Sequence, residues 1–482
     1  MKLKQLLPFA TLGLVVQLCL HAAVNAPSQA QPPLIPITSF FQSPALAQVT
    51  ISPDGRYVAY LAPDHGRQNL FVRETGQTDP RQITSSKERD LGGYFWVGSG
   101  RIAYAIDEAG KENWCIYAVD VNGENRQALT PETSVQARLV SKLPHDDDHL
   151  LVTMNKRDPR MPDLYKIDTR TGQAELLLKN DRNFVRYVTD NAGTVRLAIA
   201  TDGINFALFH RPTDSAAFER ILTTDFRASV GPLFFTADNR FFYALSNRGR
   251  DKAAVVLVDP KNGAELDLVY QHPEFDAGGL LRDDRTGRVV GAYYTGEKSE
   301  RVFFDEEARN RQRDAEARLP GLAVDFVSAD GAGETFIVKA WSDRDPGTFY
   351  RYDARTGAMT VIGKVAPWID PAQLASTEPI SYRSRDGLLI HGYLTKPLHT
   401  TGPIPSLVVV QGGPWARVRW QGDPETQFFA NRGYAILEIN FRGSTGYGRA
   451  FFEAGFQQWG KKMQDDVTDG VHWLVEQGVA DP

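Results

Sequence analysis

Gly412 and Gly413, set after the apolar run Leu407-Val408-Val409-Val410 and Gln411, are the first residues whose types and spacing suit chemistry. Glycines at the end of a strand let backbone N–H groups turn toward a cavity with no side chain in the way. A strand-to-helix loop can build a hole for an oxyanion in this manner. By themselves the two glycines and Pro414 also fit a plain tight turn. A second loop adds weight: the run Tyr434 to Asn440 reads as a strand that delivers Phe441-Arg442-Gly443-Ser444-Thr445-Gly446-Tyr447-Gly448, dense in glycine and carrying an aromatic ring and a cation.

Acyl chemistry also requires a nucleophile, commonly a serine raised on a sharp Gly-x-Ser-x-Gly turn. No such pattern occurs in the chain: Ser444 has Arg442 two places upstream, and Ser99 in Gly98-Ser99-Gly100 fits a turn between strands. Other candidates are weaker. Asp146-Asp147-Asp148-His149 resembles a metal cluster in composition but falls where consecutive Asp residues satisfy local amides, so no metal is expected. His472 sits beside Trp473 on a helical stretch and reads as a surface or packing residue.

The elements around the two loops predict an α/β arrangement from residue 371 onward. Ile380-Ser381-Tyr382 and Leu388 to Leu394, about the turn Arg385-Asp386-Gly387, read as an antiparallel hairpin. Leu407 to Val410 lacks polar breaks, which suits a strand covered on both faces. A helix follows the glycine-dense loop, with Asp465 and Asp466 placed to favour its N-terminus, Val467, Val471, Leu474 and Val475 along one face, and Gly478 beyond its end.

Before residue 371 the chain repeats. Polar turn pairs at Asp54-Gly55, Ser99-Gly100, Asp147-Asp148, Asp190-Asn191, Asp238-Asn239, Asp284-Arg285 and Asp330-Gly331 lie 43 to 48 residues apart. Strands ending in an acidic turn recur at similar distances, as in Ile116 to Asp120, Leu164 to Asp168, Val256 to Asp259 and Phe349 to Asp353. This is the period of propeller blades, and seven landmarks predict seven blades, each supplying half of its neighbour's core. Glu306 to Arg318, charge-dense with helical spacing of opposite signs, reads as a solvated insertion between strands.

The chain has 482 residues, 42% apolar and 23% charged, with a formal charge of -5. These values describe a folded body of more than one domain and supply no basic surface for nucleic acid or an anionic membrane. Lys2 and Lys4 followed by the apolar Leu6 to Leu20 predict an export signal over residues 1–30, too short for a membrane span. Its removal would leave Cys115 as the only cysteine and exclude an intrachain disulfide.

Taken together, these motifs resemble the prolyl oligopeptidase family of serine peptidases, in its acylaminoacyl-peptidase and dipeptidyl-peptidase-like branch. The resemblance rests on Asn440 to Gly448, Trp459-Gly460, Gln464-Asp465-Asp466-Val467 and Ala480-Asp481-Pro482. Phe40-Phe41, Ser52-Pro53-Asp54-Gly55 and Val58-Ala59-Tyr60 look like the family's first blade. It implies an all-β seven-bladed propeller over residues 37–370, followed by an incomplete α/β-hydrolase domain over 371–482. It also implies an oxyanion loop at Gly412 and Gly413, with Gln411 where the family commonly has histidine, and supporting roles for Arg442 and Tyr447. Serine, acid and histidine would all lie beyond Pro482, so these 482 residues are expected to be inactive and to leave an apolar sheet edge open. The intact protein would be a periplasmic or secreted peptidase of short peptides, needing no cofactor. A non-catalytic envelope-binding propeller, or an esterase of the same fold, are the alternatives.

Overall fold

The computed structural model describes residues 33–482 apart from 108, 109, 111 and 144, so the export signal expected at 1–30 lies outside the described residues. Seven antiparallel sheets follow one another along the chain, at 47–82, 91–128, 137–178, 184–224, 230–270, 277–303 and 323–364. Six have four strands in sequential order and the sixth has three. The turn pairs found in the sequence join the first and second strands of the sheets. At the first of them, the Asp54 carboxylate accepts from Ser52 Oγ at 2.6 Å and from the Arg56 amide at 3.1 Å, while Gly55 takes a φ of +73°.

The first five sheets pack each on the next through shared apolar clusters; the sixth joins the fifth where Ala277 N donates to Ala253 O at 2.8 Å, and the seventh through the Arg301–Asp325 ion pair. The seventh packs back on the first: Val49, Ile51 and Ile337 share one core, Ile51 N donates to Ser328 Oγ at 3.1 Å, and Gly331 N donates to Pro53 O at 2.7 Å. The ring is therefore closed. A sheet with two apolar faces cannot bury both alone, and closure leaves no end of the series uncovered.

Helix α1 (Ile37–Phe41) precedes the ring, and α2 (Glu306–Arg318) stands where the sixth sheet's fourth strand would be. Asp305 caps α2 by accepting from Ala308 N at 2.9 Å, and Arg318 pairs with Asp314 one turn back. Its inner face, Ala308, Gln312 and Ala315, is buried against the seventh sheet, so the insertion is solvated on one side only. Phe40 and Phe41, read from sequence with the first repeat, pack elsewhere. Phe40 meets Phe428 edge-on at 6.0 Å and shares a cluster with Leu374, because α1 has an apolar face and no sheet partner.

The last sheet comprises β1 (Thr377–Arg383), β2 (Leu389–Thr395), β3 (Ser406–Val410) and β4 (Ala435–Asn440), in the order β1-β2-β4-β3. The first two pairings are antiparallel and β3–β4 is parallel. Helix α3 (Pro424–Ala430) covers one face near Ile436, and α5 (Lys462–Glu476) covers the other near Leu437 and Ile439; short α4 (Arg449–Glu453) lies between β4 and α5. Parallel strands with helices on both faces are the α/β pattern.

Strand β3 differs from the expectation of a fully covered strand. Val408 packs toward α5 and Val409 toward α3, but β3 is the edge strand and Val410 is 49% exposed. In α5 the N-cap is Lys461, without a capping side chain; Asp465 falls inside the first turn and Asp466 just beyond it. Val471 points outward at 42% exposure, and Met463 takes the buried place instead.

Candidate active site

The loop after β3 is held from two sides. Asn440, fully buried at the end of β4, accepts from Val418 N at 2.7 Å and donates to Val418 O at 3.1 Å and to Tyr447 Oη at 2.9 Å. One amide side chain thus fixes both loops, and its burial is balanced because both of its ends are bonded. At the other end of the loop, Gln411 Nε2 donates to Ser444 Oγ at 2.6 Å, and Ser444 Oγ donates to Phe441 O at 2.7 Å. Ser444 is fully buried with its hydroxyl engaged on both sides, which does not suit a nucleophile.

Between these anchors Gly412 and Gly413 lie exposed, and among the described residues their amides donate to no protein acceptor. A Cβ on Gly413 would come within 3.1 Å of Trp415 N and 3.2 Å of Ala416 N, so the close turn accommodates only glycine without displacement. Gly412 has open space where its side chain would be.

Arg442 is buried and carries the glycine-dense loop. Its Nε and Nη2 meet the Asp466 carboxylate at 2.8 and 2.7 Å, and Nη1 and Nη2 meet Asp386 at 2.8 and 3.0 Å. Asp466 also accepts from Arg442 N at 3.0 Å. Two bidentate pairs on one guanidinium are strong and directional. The hydrogen bond from Arg442, reinforced by Lys462, holds the Asp386 carboxyl well below the usual range although burial opposes it. Asp466 was read as a helix-favouring acid; its working partner is Arg442, on another element.

Tyr447 stacks on His391 at 4.7 Å and 7°, with the Arg417 guanidinium 4.1 Å from its ring centre. Burial is the main reason that its phenol is pushed up to about 12. Burial, followed by Arg417, lowers His391 below its ordinary value, so its ring is neutral near pH 7. Gly446 has a φ of +91°, and a Cβ there would run into Arg417. The loop is also tied to the ring: Lys252 Nζ donates to Tyr447 O at 2.6 Å, Asp276 N to Gly446 O at 3.0 Å, and Arg417 Nη2 to Gly296 O at 2.7 Å.

The structure therefore brings Gln411, Gly412, Gly413, Arg442, Ser444 and Tyr447 into one assembly. His472 is exposed on α5 and takes no part. Asp146 and Asp148 have local partners: His149 at 2.7 Å and Lys166 at 3.0 Å for the first, Arg170 at 2.7 Å for the second. Sequence reasoning passed over Arg417 and the clamp formed by Asn440. A polar residue closing a largely apolar strand, next to the glycine-dense loop, was the available signal for Asn440; Arg417 offered none.

The model of the prolyl oligopeptidase family matches residues 420–482, which include β4, the glycine-dense loop and α5. Dipeptidyl aminopeptidase BIII of Pseudoxanthomonas mexicana is 33% identical, aligned over 95% of this chain and 69% of its own length. The chain belongs to the prolyl oligopeptidase family. Dipeptidyl peptidase family member 6 of Caenorhabditis elegans is 27% identical over 93% of the chain and 66% of its own length. The chain thus spans about two thirds of the length of these two relatives.

Solved members of similar fold include a prolyl endopeptidase studied for inter-domain dynamics, with a TM-score of 0.71 at 15% identity, covering 92% of this chain and 68% of that one. A puromycin-hydrolyzing peptidase of Mycobacterium tuberculosis has a TM-score of 0.70 at 18% identity, covering 94% and 74%. In this family member the matched span begins at Trp420, a few residues after the glycine pair. No helix among the described residues is long and apolar enough to cross a membrane.

Proposed function

We propose that this family member supplies the ring and the oxyanion side of a serine peptidase that cleaves short peptides through an acyl-enzyme. The closed series of seven sheets is read as a seven-bladed propeller over 37–370, and residues 371–482 as the first part of an α/β-hydrolase domain. The observation that carries the reading is the pair of unengaged amides at Gly412 and Gly413, held at the end of an open parallel strand by Asn440 and Ser444. A carbonyl oxygen that gains charge on nucleophilic attack would accept from the Gly413 N–H, a preorganised donor. Removing one such donor typically costs about two to three powers of ten in rate.

In this reading the serine, acid and histidine are supplied by sequence outside these 482 residues, following the chain order of α/β-hydrolases. Strand β3 then becomes interior, which accounts for its apolar composition. The N-terminal segment 1–30 directs export, and the site of action is the periplasm or the exterior. The 482 residues alone are inactive. The dipeptidyl peptidase names of the relatives support dipeptide-releasing action as the form of peptidase activity.

The test is turnover of dipeptidyl nitroanilides and of small acyl esters by protein extended past Pro482, beside the 482-residue chain. Peptide hydrolysis by the extended protein alone, blocked by phenylmethylsulfonyl fluoride, supports the reading. Hydrolysis of esters but not peptides would move it to an esterase.

A further inference from the structure

The central channel of the ring holds a cavity of about 700 Å³ that belongs to none of the machinery above. It is walled by the first strands of the third and fourth sheets, Ala137–Ser141 and Phe184–Thr189, and by the ends of Val230–Phe235 and Ala277–Arg282. Its lining includes Asp190, Asn191 and Asp284, from the turns between the first and second strands of the fourth and sixth sheets. The ring residues that touch the last sheet, Lys252, Asp276 and Gly296, lie on the opposite turns of their sheets.

Four cations line this cavity: Arg138, Lys142, Arg186 and Arg282. Arg138, Lys142 and Arg186 are exposed to the cavity and Arg282 is half-buried. Here none of the four has an ion-pair partner among the described residues, and the guanidinium groups of Arg138 and Arg186 make no hydrogen bond there either. Arg282 donates from Nη2 to Asn191 at 2.9 Å, reaching from the sixth sheet to the fourth, and lies over Phe234 at 5.1 Å. Its Nε is buried without an acceptor. Lys142 lies near the Phe95 ring, and burial lowers its ammonium below the ordinary value, opposed by Asp284.

Two acids share the lining. Asp190 is occupied by Arg196 at 3.4 Å and by the amides of its own turn. Asp284 alone stands against the four cations, so the cavity keeps an excess of positive charge, and low-dielectric walls focus that field. Among the cations the wall is mixed: Leu139 and Val185 are apolar, at 37% and 54% exposure, and Ser141, Thr153 and Thr189 add hydroxyls.

We infer that this channel cavity is a binding site for an acidic peptide segment, whose carboxylates pair with Arg138, Arg186 and Arg282. Its volume falls within the range of ligand pockets. Leu139 and Val185 beside the cations suit the side-chain methylenes of a peptide, the hydroxyls of Ser141, Thr153 and Thr189 suit its backbone, and a bare inorganic anion would use neither. The anion site itself follows from the ring alone; the choice of a peptide rests on the peptidase reading. Binding rather than hydrolysis is therefore measured, so that failure of one does not count as failure of the other.

The experiment is calorimetric titration of the 482-residue chain with N-acetylated, C-amidated tetraglutamate, with tetraglutamine and with pyrophosphate. The variants are Arg138→Gln combined with Arg186→Gln, and Lys179→Gln combined with Lys261→Gln as a charge-matched control at exposed positions outside the cavity. Neither guanidinium bonds within the ring, so the double variant keeps the fold, checked by its unfolding midpoint. Tetraglutamate is expected to bind in a salt-sensitive manner, with affinity reduced about tenfold or more in the double variant and unchanged in the control. Equal binding of tetraglutamine, no effect of the double variant, or tighter binding of pyrophosphate than of the peptide would each overturn the inference.

Discussion

The ring and the last sheet solve the same problem in opposite ways. In the ring every sheet has a neighbour on each side, and the join between the seventh and the first is as well buried as the rest, with Ile337 fully inaccessible and Val49 1% exposed. In the last sheet the series stops at β3, where Val410 is half-exposed. What holds that end is polar: Asn440 across two loops, Gln411 on Ser444, and Arg442 between two aspartates. The repeated units close mainly by apolar packing, with the bonds from Ile51 N and Gly331 N added, while the loops of the last sheet are kept in register by directional side-chain bonds.

Breaking the strongest directional bond tests this most severely. Arg442→Met leaves Asp466 buried and unpaired, and the expected loss is about 3–5 kcal/mol in the unfolding of the last sheet, read by denaturant titration. On the ring side, Ile337→Ala opens a cavity at the closure and costs about 2–5 kcal/mol. Hydrogen exchange then distinguishes the regions: the first substitution exposes β2 and β4, the second the first and seventh sheets.

A pH experiment sharpens the contrast. Burial, with Asp423 and Glu425 adding like charge, pushes the Glu438 carboxyl on β4 up to about 7, against a hydrogen bond from Thr426. A raised carboxyl favours the folded state while it is protonated. Its contribution is full below the unfolded value near 4.5 and is lost as pH rises through about 7. Glu438→Gln should therefore stabilise the last sheet at pH 8, by up to about 3 kcal/mol, and remove that part of the slope between the two values. The ring should not respond.

The smallest expected effect is at the loop clamp. Asn440→Ala should cost about 1–3 kcal/mol, because Val418 N–H and the Tyr447 hydroxyl lose their partner. Amide exchange at Val418 should accelerate while Ile337 remains protected.

Much of this contrast is legible in the sequence. The ring is visible because its turns are local: Asp54 bonds to residues two positions away on either side, so the pattern recurs wherever the repeat does. The helix at Glu306–Arg318 is legible from its own charge spacing. The α1 packing on Phe428, however, joins residues nearly 400 positions apart, and nothing near Phe40 announces it. Asp466 looked like a local helix signal because acids do favour first turns; its bonds to Arg442 depend on the fold of β4. Gly412 and Gly413 stood out because glycine pairs after apolar runs are a local pattern. Arg417, whose bonds run to Gly296 and Gly446, did not.

The central claim is that the acyl-transfer site is supported here by the Gly412 and Gly413 amides and lacks its nucleophile within the 482 residues. Intact mass measurement of the purified 482-residue chain after incubation with a fluorophosphonate tests it directly. The account predicts an unmodified mass, and stoichiometric labelling at one serine once the chain is extended through a Gly-x-Ser-x-Gly segment. Stoichiometric labelling of the 482-residue chain, at Ser444 or any other serine, would contradict it.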